Sequence, residues 1–238
     1  MKRILLTCTL VLMVLFSFSQ RFSVGASIGY GSYSMGSLKD FQAWRVKESN
    51  LPLKTTENYP IMPYYRAEIA LNGLWVFDKL GVFYAFSSTG GRSTVSDYSG
   101  RVNLDALING NQLGLSVRKD FIRQNNWSAG VYVDGSWLRS SLNAKDYLML
   151  VGPPETVEKD SYDFRATGYS AEPGLALTYK LLPLMFQLNV GYLMDFSGKL
   201  YLKDNKKQWL EPDGKEATPE WSGLRAGVQV SFVFGKPE

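Results

Sequence analysis

The chain has 238 residues, 45% hydrophobic and 20% charged, with 22 Gly, 14 Tyr, 13 Phe, one Cys and no His. That content suits one folded domain and is too apolar for a disordered chain. The formal charge of +4 is small and scattered along the sequence, which excludes the clustered footprint of a nucleic-acid binder. The missing histidine removes Ser-His-Asp and Cys-His catalysis together with the usual zinc sites.

The first element in chain order is an export signal over residues 1–19. Met1-Lys2-Arg3 is a positive start, and Ile4–Phe18 is an apolar run interrupted by Thr7, Cys8, Thr9 and Ser17. Ser17-Phe18-Ser19 then supplies the small residues of a cleavage site before Gln20. Cys8 lies inside the apolar run, which argues against lipidation. A mature chain, residues 20–238, would then lack cysteine and disulfides. No later stretch reaches eighteen apolar residues, so membrane-crossing helices are not predicted.

Eight strands follow, each with a period of two. Phe22–Tyr30 sets Phe22, Val24, Ala26, Ile28 and Tyr30 against an all-small second face. A polar loop runs from Met35 to about Pro63, with a brief helical turn at Phe41 and Trp44. Tyr64–Trp75 places Tyr65, Ala67, Ile69 and Leu71 opposite Arg66, Glu68, Ala70 and Asn72. After the turn Phe77-Asp78-Lys79, Leu80–Ser88 forms the third strand, and Thr89–Asn109 reads as a Gly/Ser/Asp-rich loop. The fourth and fifth strands are Asn111–Phe121 and Trp127–Leu138, joined by a short turn. A charged loop at about Arg139–Tyr162 precedes the sixth strand, Arg165–Tyr179, where Pro173 predicts a bulge or a missing ladder bond. Lys180–Pro183 turns into the seventh strand, Met185–Ser197, and a last polar loop is Gly198–Glu220.

The closing stretch, Trp221–Phe234, is the most regular. Leu224, Ala226, Val228, Val230, Phe232 and Phe234 alternate with Arg225, Gly227, Gln229 and Ser231. Long connections alternate with short ones, and aromatic residues (Tyr64, Tyr65, Trp75, Phe77, Trp127, Trp137, Trp221) cluster near strand ends. Short turns at one end, longer loops at the other and aromatic girdles mark outer-membrane sheets. The expected fold is all-β: an eight-stranded antiparallel transmembrane up-and-down β-barrel with short periplasmic turns and four long extracellular loops.

With the apolar face outward, the inward face carries Arg66, Glu68, Arg118, Asp134, Glu172, Asp195 and Arg225. Eight strands leave an interior that side chains fill, and charges there must be paired. The expectation is a polar network of these seven residues plugging the lumen. A carboxylate pair such as Glu68 and Glu172 would do acid–base work only with access to a cleft. Loop aspartates Asp97, Asp105, Asp146, Asp160 and Asp163 match no calcium-loop spacing, so no cofactor or metal is predicted.

Met1–Ser19 followed at once by Phe22–Tyr30, and the terminal Gly223–Phe234, resemble the small porin-like outer-membrane β-barrel proteins of Bacteroidetes, with OmpA- and OmpX-type architecture. The resemblance implies insertion by the barrel-assembly machinery through a terminal aromatic residue, here Phe234, although Gly235-Lys236-Pro237-Glu238 follows it. One branch of that group assists protein secretion across the outer membrane. The expected location is the cell outer membrane, with lipid as the surrounding partner and no nucleic acid. The expected role is non-enzymatic: a structural or interaction module whose loops, with Trp44, Tyr59, Tyr98, Tyr147, Trp209 and Trp221 in or beside them, meet an envelope protein or glycan. A small-solute channel, a secretion accessory and a soluble periplasmic barrel stand as alternatives.

Overall fold

The computed structural model describes residues 21–74, 76–98, 100–152 and 156–235. The export signal and Trp75 lie outside the described residues. In chain order the elements are β1 (Arg21–Tyr33), α1 (Gly36–Glu48), β2 (Lys54–Asn58), β3 (Met62–Asn72), β4 (Lys79–Asp97) and β5 (Gly100–Gln124). They continue with β6 (Trp127–Leu150), β7 (Thr156–Leu181), β8 (Leu184–Ser197), β9 (Tyr201–Leu202), β10 (Asn205–Trp209), a 3₁₀ turn (Pro212–Gly214) and β11 (Gly223–Phe234).

All strand pairings are antiparallel. β1 pairs β11 and β3, β11 pairs β8, and β8 pairs β7. Pairing then runs β7–β6, β6–β5, β5–β4 and β4–β3, closing a hydrogen-bonded ring. β2 adds to β4, β9 to β7 and β10 to β9. The expected eight-stranded transmembrane β-barrel with four long loops is therefore corrected to an eleven-stranded antiparallel sheet.

Two of the expected loops are strand. Thr89–Asn109 is the upper part of β4 and β5, and most of Arg139–Tyr162 is the upper part of β6 and β7. The other two carry α1 and β2, and β9, β10 and the 3₁₀ turn. The reason is an inversion of hydropathy along strands whose parity never changes. In β5, Leu113, Leu115 and Val117 face outward while Gln112, Ser116 and Arg118 face inward. Higher on the same strand the inward positions become Leu104, Ala106 and Ile108, and Arg101, Asn103 and Asp105 face outward. β6 does the same, with Tyr132, Asp134 and Ser136 giving way inward to Leu138, Leu142 and Ala144. An alternation that changes sign reads as two patterns with a break between them.

The upper inward residues form an apolar core with Met35, Leu38, Phe41, Leu193, Leu200, Leu210, Ala217 and Trp221. α1 lies on it because Leu38, Phe41, Gln42 and Arg45 recur at i, i+3, i+4 and i+7, one face of a helix. Its start has no cap of its own. Glu220 supplies one instead, accepting from the Ser37 backbone N–H at 3.2 Å and from the Ser37 hydroxyl, which places a carboxylate at the positive end of the helix dipole.

Orientation in the lower half is plain on β11. Leu224, Val228 and Phe232 are 62%, 49% and 42% exposed, against 5% for Arg225 and 2% for Gln229. At Pro173 the ladder to β8 skips the pairs between Ala171 and Gly174 without a change of register. Proline has no N–H to give there, so the irregularity is lost bonding with no bulge. The bulge falls in β5 instead, between Asp120 and Ile122.

Candidate functional site

The inward charges lie in three clusters that the strand register stacks inside the ring. In the first, Arg66 on β3 bridges Glu68 and Asp134, and Lys79 pairs with the other oxygen of Glu68. The Arg66 guanidinium lies over the Phe83 ring, 3.9 Å from its centroid. These residues are nearly fully buried, where a lone charge would be costly and a paired one tolerable.

The second cluster joins Glu172 and Arg225. Glu172 accepts from the Tyr132 hydroxyl at 2.8 Å and from Arg225 Nη1 at 3.2 Å. Arg225 also donates to Gln112 Oε1 at 2.9 Å and Ser87 Oγ at 3.2 Å, and lies over the Tyr64 ring. Tyr132 reaches Glu172 by crossing Gly174 and Gly191. A Cβ at either glycine would come within 2.5 or 2.3 Å of the tyrosine, so only glycine leaves the ring room.

The third cluster centres on Arg118, which donates to Asp120 at 2.6 Å, Gln187 at 2.8 Å, Ser128 at 3.3 Å, and Thr178. Of the seven residues named from sequence, Arg66, Glu68 and Asp134 thus meet directly, as do Glu172 and Arg225. Arg118 finds a partner outside that set. Asp195 is elsewhere, accepting from the backbone N–H of Trp221 and of Ser197, both at 2.8 Å, near the long end. Phe234 stacks on Phe22 with centroids 4.4 Å apart on the outer face. Sequence reasoning missed Lys79, assigned to a turn, and Asp120, at the end of the fourth strand. Parity carried the signal for both: Lys79 shares the inward set of Gly81 and Phe83, and Asp120 that of Ser116 and Arg118, ahead of the β5 bulge.

These clusters lie in the lower interior with Phe83, Tyr132 and Tyr64 buried among them, and the apolar core lies in the upper. Neither Glu68 nor Glu172 lines the cavity at the turn end or the pocket beside α1. Among the described residues no group of three or more His, Cys, Asp or Glu is placed to hold a metal.

At the long end, Arg45 ties α1 to two strands, donating to the carbonyls of Asp105 at 3.0 Å and Lys145 at 2.9 Å and pairing with Asp146. Trp221 and Tyr59 are buried, so they hold this end together. Tyr98 and Trp209 are exposed, with Lys199 over the Trp209 ring at 4.3 Å. Burial pushes the Tyr59 hydroxyl well above the usual tyrosine range, and that hydroxyl has no hydrogen-bond partner. Of the aromatic residues placed near strand ends, Tyr65, Phe77, Trp127 and Trp137 face outward, whereas Tyr64 and Trp221 face inward.

No family model matches the chain, and no curated protein matches it. Among solved structures it is similar to Ail, the attachment invasion locus protein of Yersinia pestis, in complex with the heparin analogue sucrose octasulfate. That likeness has 11% identity, covers 90% of this chain and 99% of that one, and has a TM-score of 0.33. The N-terminal beta-barrel domain of Pseudomonas aeruginosa OprF matches at 12% identity over 91% and 98%, with a TM-score of 0.28. LpxR from Salmonella typhimurium matches at 10% identity over 89% and 100%, with a TM-score of 0.23.

Proposed function

We propose that this is an outer-membrane protein held in lipid by the outer face of its ring, serving as a structural or interaction module through its long end. One observation carries the reading: outward positions are apolar in the lower half of the strands and polar in the upper half, at constant parity. From Trp127 to Trp137 a strand at about 3.4 Å per residue and a tilt of about 45° rises about 25 Å, the height of a lipid-facing band. A sheet meeting water along its whole length has no reason to change its outer chemistry part-way up.

The paired charges and the apolar core inside the ring support interaction over solute passage, and the absence of histidine supports a non-catalytic role. The finer kinship, with small outer-membrane proteins of Bacteroidetes, draws support from the terminal strands that suggested it: Phe22–Tyr30 pairs along β11. Phe234, exposed at the end of that strand, is the residue we assign to recognition by the barrel-assembly machinery. An envelope protein or glycan would meet Tyr98 and Trp209.

Sided labelling tests this. In a Cys8→Ser background, Tyr98→Cys should react with a membrane-impermeant maleimide on intact cells, and Leu182→Cys only after the outer membrane is broken. Recovery of the protein in the aqueous fraction after carbonate washing would reject the membrane reading, and the reverse labelling pattern would reject the assignment of the long end to the exterior.

A further inference from the structure

The basic residues look dispersed in the sequence, but the fold gathers six of them at the turn end of the ring. Arg21, Lys79, Arg118, Lys119, Arg123 and Lys180 line one cavity of about 710 Å³. Two carboxylates, Asp78 and Asp120, share it. The lining therefore carries a formal excess of four positive charges, as large as the excess of the whole chain. Everywhere else cations and carboxylates nearly cancel.

Both carboxylates are already engaged. Asp120 holds Arg118 at 2.6 Å. Asp78 takes Arg123, Lys119 at 3.8 Å and the Asp120 backbone N–H at 2.7 Å. The floor is fixed, since Arg118 is bound on four sides and Lys79 is anchored by Glu68 from the cluster above. At the rim, Lys180 has no carboxylate partner among the described residues. A concave, low-dielectric wall with a net positive charge focuses its field into the cavity. The volume falls in the small-molecule range of about 300–1,000 Å³, far more than one phosphate group needs.

We propose that this cavity binds a multivalent oxyanion carrying two or more phosphate groups, with Arg118 and Lys79 setting a cationic floor and Arg123 and Lys180 closing on the anion at the rim. The chemistry fits either a free phosphate compound or the phosphorylated headgroups of lipid, and the site lies at the opposite end from the one proposed above for partners.

The test is calorimetric titration of sodium pyrophosphate into the full chain in non-ionic detergent. Binding is expected, and weaker at 0.5 M than at about 0.05 M NaCl because salt screens exposed charge. The double variant Arg123→Ala, Lys180→Ala should bind about tenfold more weakly, roughly threefold per lost cation. Lys203→Ala at the other end should leave the affinity unchanged. Lys180→Glu alone, exposed near the end of β7, repeats the test should the double variant not fold. Absence of binding at millimolar pyrophosphate, or an affinity indifferent to salt and to both rim variants, overturns the proposal. Repeating the titration in nanodiscs identifies the source. Loss of pyrophosphate binding in phosphatidylglycerol discs but not in phosphatidylcholine discs identifies a lipid headgroup, and equal binding in both identifies a free anion.

Discussion

Glu68 sits between Lys79 and Arg66, and Arg66 in turn holds Asp134. Removing one carboxylate leaves a buried cation without its partner, the situation in which breaking an ion pair costs about 3–5 kcal/mol. Glu68→Gln should therefore lower the urea midpoint of the folded protein far more than Asp163→Asn, an exposed carboxylate whose pair with Lys203 is worth at most about 1 kcal/mol. Equal midpoints for the two variants would mean that the interior network does not hold the ring. Tyr59 makes a pH prediction. Below about pH 10, the ordinary phenol value, the neutral hydroxyl is present in folded and unfolded chains alike. Above it the unfolded chain ionises first, because burial holds the folded hydroxyl higher. Stability should thus fall as pH rises past 10, by up to about 1.4 kcal/mol per pH unit. Tyr59→Phe should remove that part of the slope, read by unfolding at pH 9 and pH 11 and by tyrosinate absorbance.

At the scale of elements, the switch in outward chemistry along β6 gives a paired test. Val133 and Asn143 share parity on one strand, one in the apolar zone and one above it. Val133→Arg should cost about 2–4 kcal/mol of folding in lipid vesicles, as charge on a lipid face does. Asn143→Arg, with Asp163 directly across on β7, should cost less than about 1 kcal/mol. α1 gives a second test. Leu38 is fully buried in the apolar core, so Leu38→Ala should weaken helix docking by about 2–5 kcal/mol. Trypsin would then cut between Arg45 and Lys54 while the ring strands stay protected. The sequence showed each of the eight ring strands where its apolar set faces outward. It hid the upper halves of β4 to β7, because Leu104, Ala106 and Ile108 turn an outward pattern into an inward one at the same parity. α1 was visible only as Phe41 and Trp44, since its apolar stripe is narrow and Gln42 and Arg45 belong to its buried face. β2, β9 and β10 are short and polar, and their pairing is set by neighbours distant in sequence. The interior charges were legible from alternation alone. Their partners depended on register around the ring, which explains why Asp195 was grouped with residues it does not touch.

For the whole molecule, the interior is charged in its lower half and apolar in its upper half, with Trp221 packed edge-on against Tyr33, centroids 4.9 Å apart, close to Arg225. A solute crossing it would have to displace both the paired charges and the core under α1. Purified protein in planar bilayers should accordingly give no stable single-channel steps, and regular steps would revive the channel reading. The closed circuit of pairing has a further consequence. Around the zone of outward apolar residues each ring strand has neighbours on both flanks, leaving no open margin for another polypeptide to join. Among the described residues, unmatched flanks occur at the far end, on β2, on β10 and along Thr156–Tyr162 of β7, and at the turn end on the last residues of β5, which pair with β6 alone. A neighbour that extends this sheet by main-chain pairing therefore finds most of its open margin at the far end, beside the surface that carries Tyr98 and Trp209.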